Sequence, residues 1–284
     1  MRERYLEHTQ PFSLKALRSQ FFQAVARLLY FQADQIVSVS KFNRTWQLQL
    51  NAPFERTQVI PNGIDPQAFT AVKHDYPTVV WLGRIDPLKD LETLIRAFWH
   101  VRRVIPNARL KLFGPLPEGN QPYYQTLLRL RESLHLKRAV SFEGQHPAQA
   151  ALAQAEVVAL SSLSESLPYS LLEAMASSKA IVATKTGGIT EALGNAGRLV
   201  NIGEPAAMAT ALIELLSYPK VRERLGKRAR YRALETFTLD KMIHRYQKIY
   251  ESMSYAVNPK QSAVFLTTER PSELPVIVLR DQAV

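Results

Sequence analysis

Two cations and two carboxylates stand at spacings that could do chemistry on a charged ligand. In GRIDPLK, Gly83 closes an apolar run, and Arg84 and Lys89 follow on a loop before a helical stretch that starts near Asp90. Two fixed cations at the carboxyl end of a strand can clamp a diphosphate, arginine as a bidentate fork and lysine as a compact point charge. The same residues also read as surface charge neutralised by Asp86 and Asp90. In SESLPYSLLEAMA, Glu165 and Glu173 stand eight residues apart, and Pro168 suits the first turn of the helix that carries Glu173. Backbone N–H groups around Tyr169, Ser170, Leu171 and Leu172 would then point out of the helix start, where orphan donors and the dipole favour a phosphate. A carboxylate further along the helix can accept hydrogen bonds from ribose hydroxyls. Taken singly, a capping acid at Glu165 and an exposed helical acid at Glu173 is the plainer reading.

Glycines punctuate the same regions. TKTGGITEAL reads as a strand end, the pair Gly187-Gly188 and a helix, and paired glycines permit close approach to a ligand and positive φ. Gly114 and Gly144 end two further strands and could floor a base pocket with main-chain groups. All of these are also ordinary turn residues.

The chemistry that is absent narrows the field. There is no Asp-x-Asp and no His/Cys cluster with metal-ligand spacing, so a departing diphosphate would be met by Arg84, Lys89 and helix N–H groups, with no metal. Neither a GxSxG elbow, a P-loop nor a GxGxxG occurs, so hydrolase, NTPase and dehydrogenase readings lose their usual support. The chain has no cysteine, which removes disulfides, thiolate metal sites and thiol nucleophiles. No run of about 18 apolar residues occurs and MRERYLEHTQ lacks a secretory apolar stretch, so the expected location is the cytoplasm.

The elements that must position these residues are legible from Tyr76 onward. Short β-branched runs alternate with segments of helical period, the pattern of βαβ units and a parallel sheet with helices on both faces. The expected strands cover 79–83, 109–114, 139–144, 156–161, 180–184 and 197–200, and the clearest helices 91–104, 123–134, 171–177 and 205–217. In an open α/β sheet the ligand crevice lies beyond the carboxyl ends of the strands, where the candidate residues fall. Before residue 61 the pattern is a basic amphipathic helix over 13–31, a strand QIVSVS, a second helix and the stretch TQVIPNGID. Two strands cannot bury both faces of a sheet, so residues 1–60 are expected to be a partial N-terminal segment. Residues 61–76 read as a link, 77–253 as a Rossmann-like domain, and 254–284, after periodicity fades beyond Tyr250, as a tail.

In this order, VIPNGID, GRIDPLKD, FGPLPEG, VSFEGQ, SESLPYSLLEAMA and VATKTGGITEAL resemble the retaining glycosyltransferases of family 4. The resemblance covers about residues 33–253. Within the family, VARLLYFQADQIVSVS and GPLPEGNQPYYQTLLRL look most like members of exopolysaccharide systems that use UDP-glucose. The resemblance implies two facing Rossmann-like domains of the GT-B type, with the nucleotide-sugar donor on the C-terminal one and no metal required. It implies that Arg84 and Lys89 hold the diphosphate, that Glu165 contacts hydroxyls of the transferred sugar and that Glu173 binds the ribose. Ser166, Ser178 and Ala180 depart from the family, which often has Gly, Gly and Pro there. Most of the acceptor half, with its glycine-rich loop and histidine, is expected to be missing, and RERYLE looks like a piece from its middle.

Three functions are open at this point. The chain is an enzyme, or half of one, moving a hexose to a glycan or lipid-linked acceptor, with a companion chain supplying the other half. It is a module that holds nucleotide sugar and turns over nothing, because a donor domain alone cannot orient an acceptor. Or it is a protein that docks on acidic partners through its charge. The net charge of +11 is concentrated in RERLGKRARYR at 222–232, where six bases meet only Glu223. That stretch reads as a solvated helix face or as a membrane-surface patch, and no aromatic-interleaved motif supports nucleic acid.

Overall fold

The computed structural model describes residues 14–66 and 77–257. RERYLE, most of the expected link and the tail beyond Val257 lie outside the described residues.

Among the described residues the main sheet has six strands, and the central ones are apolar nearly throughout because both faces are covered. The six are β3 (Thr78–Leu82), β4 (Arg109–Phe113), β5 (Val140–Gly144), β6 (Val157–Leu160), β7 (Ala180–Thr184) and β8 (Arg198–Val200). All pair in parallel in the order β5-β4-β3-β6-β7-β8, so the chain leaves from the middle in one direction and then the other. Alternate residues feed two cores. Val79, Trp81, Val157, Ala159, Ala180 and Val182 face one, while Val80, Val158, Leu160, Ile181 and Ala183 face the other. This is the Rossmann-like α/β arrangement expected from the βαβ pattern.

The first core is closed by α3 (Leu91–Val104), α4 (Gln121–Ser133) and α8 (Pro205–Ser217), whose Leu94, Phe98, Leu127 and Leu212 are fully buried. The second is closed by α5 (Ala148–Ala153), α6 (Tyr169–Ala176), α7 (Gly187–Leu193) and α9 (Pro219–Thr236). A last helix, α10 (Leu239–Val257), continues seven residues past Tyr250, where periodicity was expected to fade. Contacts divide the chain into the units Met1–Ile243 and His244–Val284.

Ahead of the sheet run α1 (Leu14–Gln32), β1 (Ile36–Ser38), α2 (Lys41–Gln49) and β2 (Thr57–Val59), with β1 and β2 forming a parallel two-stranded sheet. Apolar side chains on α1 remain largely exposed, among them Phe21, Phe22, Leu28 and Phe31 at 57–77%. The VIPNGID stretch crosses the segment before α10. Ile64 donates its N–H to the Phe237 carbonyl and accepts from the Leu239 N–H, both at 2.9 Å. A Cβ on Gly63 would lie 2.6 Å from the Thr238 carbonyl oxygen, so only glycine permits this crossing.

The basic stretch 222–232 is not simply a solvated face. Arg222 donates to the Leu215 and Leu216 carbonyls at the end of α8, and Arg230 to Ala176 at the end of α6. Arg232 donates to Ala192 and Glu191 in the last turn of α7, and Arg228 to Asn195 just beyond it. Orphan carbonyls and the negative helix ends thus take up four of the six bases.

Ser178, between α6 and β7, sits at φ 55°, and its carbonyl would be only 2.0 Å from a Cβ on Gly226 of α9. The left-handed conformation costs an L-residue roughly 1–2 kcal/mol, while glycine adds roughly 0.5–1 kcal/mol of unfolded-state freedom. We expect Ser178→Gly to raise the melting temperature by about 1–4 °C, measured by calorimetry, and Gly226→Ala to lower it.

Candidate active site

The loop that carries Arg84 and Lys89 leaves β3 and enters α3 through a tight 3-10 turn, Pro87–Lys89. Asp86 caps this turn, accepting from the Leu88 N–H at 2.9 Å. Asp90, in the left-handed region at φ 46°, caps α3 by accepting from the Thr93 N–H at 3.2 Å. Both aspartates are therefore engaged in capping and do not neutralise the two cations. Arg84 is exposed and makes no hydrogen bond or ion pair among the described residues.

Lys89 instead pairs with Glu165. Its Nζ donates to Glu165 Oε1, which also accepts from the Ser162 hydroxyl at 2.8 Å. The side chains are only 20% and 11% exposed, so this pair is far better shielded than a surface salt bridge. Two further bonds tie the loops together, from the Ser161 hydroxyl to the Lys89 carbonyl at 2.7 Å and from the Leu163 N–H to the Leu88 carbonyl at 2.8 Å.

Beneath Glu165 lie Gly187 and Gly188. A Cβ on Gly187 would sit 1.6 Å from the Glu165 carbonyl oxygen, and one on Gly188 1.8 Å from that of Ser166. The close approach these glycines permit is thus to the glutamate loop itself. The Gly188 N–H points to the Glu165 carbonyl at 3.4 Å, and the Thr184 and Thr186 hydroxyls donate to Ser162 and Leu163.

The other glycines meet at the ends of three adjacent strands. The Gly83 N–H donates to Phe113 at 2.9 Å and the Gly114 N–H to Gly144 at 2.7 Å. Gly114, at φ 140°, comes so near Gly83 that a Cβ would fall 1.7 Å from its carbonyl oxygen. Gly144, at φ 75°, faces open space. Main chain alone forms this floor.

Helix α6 begins at Tyr169, with Pro168 at the N-cap position rather than inside the first turn. The Leu171 and Leu172 N–H groups turn back to the Pro168 carbonyl at 3.2 and 3.5 Å, which leaves the Tyr169 and Ser170 N–H groups without a carbonyl among the described residues. Glu173 is half-buried, with no hydrogen-bonding partner among the described residues. Burial holds its carboxyl above the usual glutamate range.

Sequence reasoning missed the residues that brace these loops. Asn120 donates to the Ile85 carbonyl at 2.9 Å, and the Tyr123 hydroxyl accepts from the Leu91 N–H at 2.9 Å. GPLPEGNQPYY therefore grips the Lys89 loop from the side, and burial pushes the Tyr123 phenol up. Asn43 and Asn62 reach the glutamate loop, at Ser166 and Leu167. Ser162, three residues before Glu165, carried a local signal, whereas the asparagines lie more than 100 residues away and carried none. Among the described residues no group of three or more His, Asp or Glu could hold a metal ion, and no helix is long and apolar enough to cross a membrane.

The profile of glycosyl transferases group 1 matches residues 66–232, more than half of the chain and all of these loops. The chain belongs to this family. N-acetyl-alpha-D-glucosaminyl L-malate synthase of Bacillus anthracis is 28% identical over 233 residues, which is 77% of this chain and 60% of that protein. A GDP-mannose-dependent phosphatidylinositol monomannoside mannosyltransferase of Mycolicibacterium smegmatis is 29% identical over 72% of this chain and 59% of its own length. The chain thus spans about 60% of these relatives. Among solved structures, an Anabaena protein in complex with UDP-glucose superposes with a TM-score of 0.76 at 24% identity, over 83% of this chain and 68% of the other. The C-terminal domain of a group 1 glycosyl transferase from Francisella tularensis is covered completely, with a TM-score of 0.58 at 21% identity over 62% of this chain. At these identities the two structures speak for the fold, that of GT-B glycosyltransferases.

The Glu173 carboxyl gives a pH test with a definite sign. Its folded pKa lies above its unfolded one, so the stability it contributes is complete below the unfolded value, about 4.3, and is lost as pH rises through the folded one. Glu173→Gln carries no such charge. Its melting temperature is expected to gain on that of the wild type as pH rises above about 4.3, a trend that thermal scans at several pH values will check.

Proposed function

We propose that the chain is the donor-binding half of a retaining hexosyltransferase of glycosyltransferase family 4, using UDP-glucose without a metal. The observation that supports this most is the shielded Lys89–Glu165 pair, braced from two loops at the carboxyl edge of the sheet beside an unengaged arginine. Lys89 keeps two further N–H donors beyond the one given to Glu165, and Arg84 offers a planar fork. A diphosphate taken between them would place its sugar beside Glu165. As the bond from anomeric carbon to diphosphate oxygen breaks, the new charge falls on oxygens that these cations and the α6 N–H groups can stabilise. The same diphosphate oxygen can then take the proton of an acceptor hydroxyl arriving on the same face, so no separate protein base is needed. Glu173, unpartnered and partly desolvated, is suited to accept from the ribose hydroxyls.

The choice of UDP-glucose follows the resemblance of VARLLYFQADQIVSVS and GPLPEGNQPYYQTLLRL to members of exopolysaccharide systems, and an acceptor in a growing glycan or on a lipid carrier goes with it. The family admits other donors, as the GDP-mannose of one relative shows.

A second reading, in which the chain holds nucleotide sugar and turns over nothing by itself, is favoured by one feature. A two-stranded parallel sheet with apolar side chains of α1 left open is no scaffold for an acceptor. An acceptor half supplied by further polypeptide, of the same protein or of a companion chain, reconciles both readings.

Calorimetric titration with UDP, UDP-glucose, ADP and GDP in the absence of metal tests the donor site. UDP and UDP-glucose are expected to bind saturably, and Arg84→Ala to weaken both about tenfold or more, the worth of a charge-assisted contact. Binding of none of the four, or of all four equally with Arg84→Ala unaffected, would contradict the assignment.

A further inference from the structure

The glutamate loop is held from above as well as from below, by a side of the molecule with no part in the ion pair. Ser40 caps α2, accepting from the Asn43 N–H at 3.2 Å, and its hydroxyl donates to Asn43 Oδ1 at 3.1 Å. This fixes which way the Asn43 amide points. Its oxygen faces Ser40, and its Nδ2 donates to the Ser166 hydroxyl at 2.9 Å. Ser166 adjoins Glu165, and its own carbonyl is wedged against Gly188, whose Cβ position also lies 3.0 Å from Ser40 Cβ. One residue further on, Asn62 Nδ2 donates to the Leu167 carbonyl at 2.8 Å. The start of α2 is anchored in turn by its Lys41 N–H, which donates to Glu191 of α7 at 3.0 Å. Three consecutive residues, 165–167, are therefore clasped between α7 and the N-terminal segment.

Ser166 stands where the resemblance leads one to expect glycine, and glycine could make no such bond. The hydroxyl converts a position of high backbone freedom into one tethered to a helix 123 residues away. We infer that Asn43 and Ser166 form a positioning pair that sets the Glu165 carboxylate for the sugar of the donor. The inference rests on the donor-site reading above. The pair bonds to neither Arg84 nor Glu173 and reaches Lys89 only through Glu165, so it acts more on recognition of the sugar than of the nucleotide.

The test is a double-mutant cycle on the full chain with Asn43→Ala, Ser166→Ala and both together, titrated with UDP-glucose and with UDP. Each single change is expected to weaken UDP-glucose about three- to tenfold and UDP by clearly less, with the double variant no weaker than either single one. Asn43→Asp, whose carboxylate can accept from the Ser166 hydroxyl, is expected to restore most of the lost affinity. Hydrogen exchange without ligand gives an independent readout, and the Gly188 amide, which donates to the Glu165 carbonyl, is expected to exchange faster in both single variants. Unchanged exchange, or equal weakening of UDP and UDP-glucose, would overturn the inference. Accelerated exchange in a chain whose wild type binds neither ligand would uphold the pair and place the failure in the donor-site reading.

Discussion

A lysine and a glutamate 76 residues apart in the chain join two loops that the sheet only brings near each other. Neither charge could be shielded alone without a large penalty, so each loop must stay where the other needs it. The devices around the pair follow from that requirement. Ser162 shares the glutamate oxygen, and Ser161 holds the lysine backbone. Asp86 and Asp90 spend their charges on capping. The glycines of α7 let the glutamate loop settle onto a helix start at distances that no side chain would allow.

The sheet makes the site possible by using up its alternatives. With both faces of the central strands buried under helices, their backbone meets solvent mainly at the strand ends. The carboxyl ends bring together a main-chain floor at Gly83, Gly114 and Gly144, cations after β3 and acids after β6, the groups that the proposed donor reading uses. The charge that dominates the composition lies elsewhere. Four of the six bases in 222–232 close helix ends that would otherwise expose orphan carbonyls, so much of that positive charge is structural.

Much of this was legible in the sequence wherever the cause is local. Unbroken apolar runs such as VVWL and AIVAT announce strands buried on both faces, and the glycines mark where the βα loops leave the strands. Three things were not legible. The partner of Lys89 was sought among neighbouring aspartates, because nothing local distinguishes a capping carboxylate from a neutralising one. Gly187 and Gly188 read equally as a turn or as room for a ligand, and nothing local announced that they pack against the chain's own glutamate loop. The asparagine clasp on Ser166 and Leu167 joins segments brought together only by the fold, so no periodicity or spacing encodes it.

The account stands or falls on where a nucleotide sugar rests. The most direct measurement is a crystal structure of the chain soaked with UDP-glucose. The account predicts the diphosphate between Arg84 and Lys89, the glucose against Glu165 and the ribose on Glu173. A nucleotide seated away from the carboxyl edge of the sheet, or with its diphosphate clear of both cations, would contradict it.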